Sequence, residues 1–141
     1  MKNILIVIMA AFILAGCEAG QVNYLRLEHA RYNPDTVYFK SVLDPADPGD
    51  ARRIKYEIPF ETGSLEGIEG GFPLAFSICD AVCEEGNRAA IPQFYLGIMG
   101  KISLPWNHTV PCGCYTFRVE VSNEGGRNSG VLENAVTIVV K

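Results

Sequence analysis

The chain has 141 residues, 48% of them hydrophobic, with 16 acidic against 12 basic side chains and a net charge of −4. That length suits one folded domain. Mild acidity with scattered basic residues, Arg52-Arg53 being only a doublet, excludes the electrostatic footprint that nucleic acid or an anionic membrane surface selects.

At the N-terminus one early lysine, Lys2, precedes an unbroken apolar run from Ile4 to Ala15. The run is too short to span a bilayer as a helix and has the length of a secretory apolar region. It closes on Leu14-Ala15-Gly16-Cys17, which resembles the lipobox of bacterial lipoproteins. The resemblance implies that residues 1–16 are a lipoprotein signal peptide. It also implies that the Cys17 thiol receives a diacylglycerol, that the chain is cut before Cys17, and that the new amine is acylated. Several acyl chains give stable anchoring where one gives marginal binding. The expected location is the cell envelope, at the outer membrane or cell surface rather than the inner membrane. Loss of Lys2 takes the net charge from −4 to −5, so lipid and not charge would hold the protein to its membrane.

Residues 17–34 read as a lipidated tether and N-terminal segment, with a lone strand over Tyr24 to Glu28 and a turn at Asn33-Pro34-Asp35. From residue 35 to 141 the pattern predicts β structure throughout, with no window of helical periodicity. Val37 to Val42 makes a first strand. Asp44 to Asp50, "DPADPGD", spaces its carboxylates at intervals of three. It lacks the order of a calcium loop and reads as a solvated turn.

Four segments then alternate with the period of two that places one set of side chains on one face. In "RRIKYEIPF" the expected inward set is Ile54, Tyr56, Ile58 and Phe60. In "FPLAFSIC" it is Leu74, Phe76 and Ile78, with Cys79 outward. In "PQFYLGIMGKISL" it is Phe94, Leu96, Ile98, Ile102 and Leu104, with Tyr95 outward and Gly97 and Gly100 marking a bulge or break. In "YTFRVEV" it is Tyr115, Phe117, Val119 and Val121. A last strand, "NAVTIVVK", adds Val136, Ile138 and Val140. About seven short antiparallel strands with frequent turns predict an all-β fold, a β-sandwich, with a barrel as the alternative.

Candidates for chemistry are few. Cys79, Cys83, Cys112 and Cys114 are an even set, which in an exported chain points to disulfides. A zinc site would use four thiolates too, although Cys-x-Cys fits the usual knuckle spacing poorly. A redox pair at Cys112 and Cys114 would start a strand, where no helix N-terminus lowers a thiol pKa. His29 and His108 have no nucleophile elbow to serve, and His108 reads as a solvated loop residue. The chain is therefore read as a non-enzyme with no catalytic residue, no cofactor and no metal. Trp106 and the outward Tyr95 are the candidate ligand-binding residues, as platforms on which a sugar ring stacks. For Trp106 the competing reading is a plug in the end of the sandwich.

One stretch narrows the fold. "PCGCYTFRVEVSNEGGRNS" resembles the penultimate-strand region of immunoglobulin-like modules, notably fibronectin type III and PKD-like domains. There a glycine two residues ahead of a tyrosine, here Gly113 and Tyr115, marks a corner tied down by the tyrosine hydroxyl. Phe117 stands where an antibody domain has its core cysteine. In the strand order the resemblance implies, the strand ending at Cys79 lies antiparallel beside the strand starting at Cys114. The implied disulfides are Cys79–Cys114 and Cys83–Cys112, on the outer face. The Gly-rich loops from Glu61 to Phe72 and Asn123 to Gly130 would share the end at which the chain enters. The functional expectation is a lipid-anchored binding module with a glycan or an envelope protein as partner. The alternative is a structural adaptor with no ligand of its own.

Overall fold

The structure is a computed structural model that describes residues 24–123 and 126–141. The apolar run, Cys17 and the first part of the tether lie outside the described residues. In chain order the strands are β1 (Leu25–Arg26), β2 (Arg31–Tyr32), β3 (Thr36–Phe39), β4 (Phe60–Glu61), β5 (Leu65–Glu66), β6 (Glu69–Gly70), β7 (Leu74–Glu84), β8 (Tyr95–Leu96), β9 (Ile102–Leu104), β10 (Gly113–Asn123) and β11 (Asn128–Val140). A helix, α1 (Pro48–Tyr56), separates β3 from β4, and 3₁₀ turns at Arg88–Gln93 and Ile98–Gly100 flank β8.

Two sheets enclose one core. The larger has the order β3-β11-β10-β7, with β10 antiparallel to both neighbours and β3 parallel to β11. The smaller is β4-β9-β8, antiparallel throughout. The alternation in β10 does what its period dictates: Tyr115, Phe117, Val119 and Val121 are fully buried, as are Val136 and Ile138 from β11. Phe94 reaches across to Phe117 and Tyr115, with ring centroids 4.9 and 5.5 Å apart, and Phe39 stacks on Phe60 at 5.2 Å. Each such side chain contributes about 1.5–3 kcal/mol by leaving water. The core is thus an all-β sandwich closed by aromatic contacts between its layers.

The N-terminal segment is not a lone strand. β1 pairs with β6 and β2 with β5, so the chain entry is strapped to the Gly-rich loop before β7. Tyr32 plugs this end from the strap: it is buried, and its hydroxyl donates to the Gly100 carbonyl at 2.5 Å.

Three expectations need correction. "RRIKYEIPF" is not a strand, because most of it belongs to α1. Asp47 caps the helix by accepting from the Gly49 and Asp50 amides at 2.9 and 3.0 Å, Pro48 opens it, and Arg53 and Lys55 fall in its last turn. These are strong start and stop signals. Tyr56 and Ile58 are consequently exposed, not inward. The "DPADPGD" turn is likewise not simply solvated. Asp50 is buried and accepts from Lys40 Nζ at 2.7 Å and the Asp44 amide at 2.9 Å. Those two donors, Lys40 first, hold its carboxyl below the usual range. Finally, Ile98 is 86% exposed rather than inward, because Gly97 and Gly100 close β8 and β9 into a hairpin whose tip carries Ile98 and Met99.

Candidate ligand-binding surface

Tyr95 and Ser103 are register partners in the small sheet, and Tyr95 faces outward as its parity requires. The side chain is 46% exposed and forms one wall of a hollow of about 450 Å³ with Ile98, Met99, Lys101, Glu61 and Ser103. Glu61 lies at the rim. Ser103 Oγ donates to its Oε1 at 3.4 Å, and Lys101 Nζ lies 3.8 Å from its Oε2. A half-exposed phenol therefore stands beside a carboxylate and an ammonium, with the buried Ser103 hydroxyl beneath them bonded to Glu61. That arrangement offers stacking to a ring and hydrogen bonds to its substituents.

A larger groove, about 570 Å³, runs between Ala30–Asp35 and Leu132–Ala135. Its only aromatic side chain, Tyr32, is buried, so it offers no face for stacking. Trp106 lies two residues beyond β9, half-buried, and does not line the Tyr95 hollow. The two candidate platforms are therefore not parts of one site.

The cysteine pairing expected from the strand order does not fit the register. β7 and β10 are antiparallel neighbours, as implied, but Cys114 is opposite Glu84. Cys79 sits five positions further down β7, about 16 Å away, far outside disulfide range. The cause is length: β7 does not end at Cys79 but runs on through a bulge there, with Asp80 opposite Arg118 and Ile78 opposite Val119. The bulge also reverses the parity of the rest of β7, so Ala81 is buried and Cys83 packs inward. Cys112 is exposed and its thiol lies 3.4 Å from Ser41 Oγ. All four thiols are free. Among the described residues no cluster of His, Cys, Asp or Glu is arranged to hold a metal ion.

Cys83 and Cys112 both lie at the Tyr115 corner. The Tyr115 hydroxyl donates to the Pro111 carbonyl at 2.9 Å and accepts from the Asn87 amide at 3.2 Å. Burial pushes the phenol above its ordinary pKa, with the Asn87 amide acting in the opposite sense and charge on Cys83 and then Cys112 adding to the rise. Tyr115→Phe should lower stability by about 1–3 kcal/mol, since it leaves two backbone groups without their partner. An unchanged urea midpoint would count against the corner.

His108 is neither free in solvent nor placed for catalysis. Its Nδ1 accepts from the Val110 amide at 3.1 Å, which leaves Nε2–H to donate to the Lys40 carbonyl at 2.9 Å. It ties the loop before β10 to the end of β3. His29 is exposed on the strap, beside Glu28 and Glu66. The Ile98–Met99 tip and buried Asp50 are the features that sequence reasoning missed. For Asp50 the signal was present in the cap residues around it.

No known protein family, no curated protein and no solved structure matches this chain.

Proposed function

We propose that the protein is a lipid-anchored, immunoglobulin-like binding module of the cell envelope that takes a glycan at the Tyr95 hollow. The anchor rests on the lipobox resemblance at Cys17. Two features support the immunoglobulin-like reading. The Tyr115 hydroxyl bonds the backbone four residues upstream, and β10 lies between β7 and β11 while β9 lies between β4 and β8. The observation that carries the binding role is Tyr95 itself: an outward aromatic side chain, 46% exposed, flanked by Glu61 and Lys101 in one hollow.

A glycan array probed with the intact protein tests this. Tyr95→Ala should weaken binding at least tenfold, equivalent to about 1.4 kcal/mol, while Trp106→Ala leaves it within about twofold. Equal binding by wild type and Tyr95→Ala would sink the assignment.

The adaptor reading draws on a different surface. On the outer face of the large sheet, Thr36, Thr137, Thr116 and Val82 form one row across four strands, and Tyr38, Val139 and Cys114 form the next. This area, with Tyr38 62% and Val82 58% exposed and bordered by Glu84 opposite Cys114 and by Lys141 Nζ over the Tyr38 ring, suits a protein contact with an apolar centre and a charged rim. Co-purification with an envelope complex, lost on Val82→Asp and accompanied by no glycan signal, would favour it.

A further inference from the structure

We infer that the end of the sandwich from which the tether leaves is a membrane-contact surface, with Phe72 and the Ile98–Met99 tip seated where lipid headgroups meet acyl chains; since Ile98 and Met99 also wall the Tyr95 hollow, the glycan taken there is one presented in the headgroup layer. The inference rests on the lipid-anchored reading of Cys17.

The chain entry fixes which end this is. The Tyr24 carbonyl accepts from the Gly71 amide at 3.1 Å and from Asn123 Nδ2 at 3.0 Å, so the tether leaves beside the start of β7 and the end of β10. The hairpin tip is at the same end: Gly100 packs against Leu65 and the Phe76 ring and accepts the Tyr32 hydroxyl. Cys17 precedes Tyr24 by seven positions, and seven residues span at most about 25 Å. β10, with 11 residues, is itself about 37 Å long. A lipid on Cys17 therefore keeps this end at the bilayer, and the opposite end cannot be turned towards it.

The side chains presented there suit that position. Phe72 is 77% exposed, Ile98 86% and Met99 61%, a solvation cost that a monomer in water gains nothing from. Between them the strap exposes Arg26 and Arg31 against Glu28, Glu66 and Glu69. With Arg127 of the β10–β11 hairpin and with Lys101 and Glu61 beside the tip, four cationic side chains stand against four carboxylates among the described residues, which gives no net attraction to anionic lipid, so the contact works by apolar insertion among headgroups. The far end also exposes apolar side chains, Val42 and Tyr56. It is the tether, not hydrophobicity, that chooses between the ends.

The test uses the full, lipid-bearing protein in phosphatidylcholine vesicles brominated high on the acyl chains, with Cys17 modification verified by mass spectrometry. Tryptophan is placed singly by Ile98→Trp, Phe72→Trp or Tyr56→Trp, native Trp106 serving as the common background. Ile98→Trp and Phe72→Trp emission should shift to the blue and be quenched about twofold, equally at low and high salt. Tyr56→Trp and Trp106 should be unaffected. If Cys17 carries lipid and neither substituted tip residue is quenched, the inference falls while the anchor stands. An unmodified Cys17 overturns the anchor, and this inference with it.

Discussion

Gly113→Ala should destabilise the domain by about 3 kcal/mol, through overpacking and backbone strain together, and lower its melting temperature by about 10 °C. Gly113 opens β10 with φ +156°, and a Cβ there would stand 2.6 Å from both Cα and N of Gly86 and 2.9 Å from the Glu84 carbonyl oxygen. Every one of those atoms is backbone, so no side chain can rotate out of the way. Gly86 is equally constrained from its other side, where an added Cβ would meet the Tyr115 hydroxyl at 2.5 Å and Cys83 Sγ at 2.7 Å. The two glycines are the layer that lets the chain after β7 close over the Tyr115 corner. Gly126→Ala is the control, because its φ of +82° is strained for alanine but nothing lies within 4 Å. Its cost should be about 1 kcal/mol, the left-handed penalty alone. Thermal unfolding of the three proteins decides the matter, and equal losses at both positions would mean that the Gly86–Gly113 contact is absent.

That corner also marks how far the sequence could be read. Strict alternation in β10 and the first half of β7 was legible because one face of each strand is fully apolar and the other is not. Period two then has a single physical solution. The antiparallel pairing of these strands was legible as well, but their register was not. Register depends on where β7 ends, and a bulge at Cys79 is invisible to an alternation that simply stops there. The Cys79–Cys114 pairing failed because β7 runs five residues past Cys79, so that Cys114 stands opposite Glu84.

The helix α1 failed for a different reason. Ile54, Tyr56, Ile58 and Phe60 alternate by chance, and a nine-residue helix buried only at Asp50 has no apolar stripe to set a period of 3.6 against it. Its caps carried the information, and a cap outweighs periodicity when most side chains of a segment stay in water. Tyr95 was correctly placed outward by parity with Phe94. That Ile98 and Met99 stand beside it depends on the hairpin closing between two glycines, a loop geometry that composition does not specify.

Cys17→Ser should release the protein from the membrane altogether. The acyl chains implied by the lipobox resemblance are its only stable attachment in the proposed reading. A mature chain of net charge −5, from −4 by loss of Lys2, has no electrostatic hold on anionic lipid to fall back on. Among the described residues no helix is long and apolar enough to cross a bilayer. The exposed tip residues add too little apolar area to replace acyl chains, each buried methylene of which contributes about 0.8 kcal/mol. Serine lacks the thiolate that accepts the diacylglycerol, so fatty-acid label should vanish from the protein. The precursor should stay uncut, or a cut product should appear in the soluble fraction. Folding is a separate matter: the packed structure is already in place from β1 onward, so the soluble Cys17→Ser domain should keep the wild-type unfolding midpoint. Fatty-acid label retained by Cys17→Ser would disprove the anchor. Loss of label with a lowered midpoint would show instead that the tether is part of the fold.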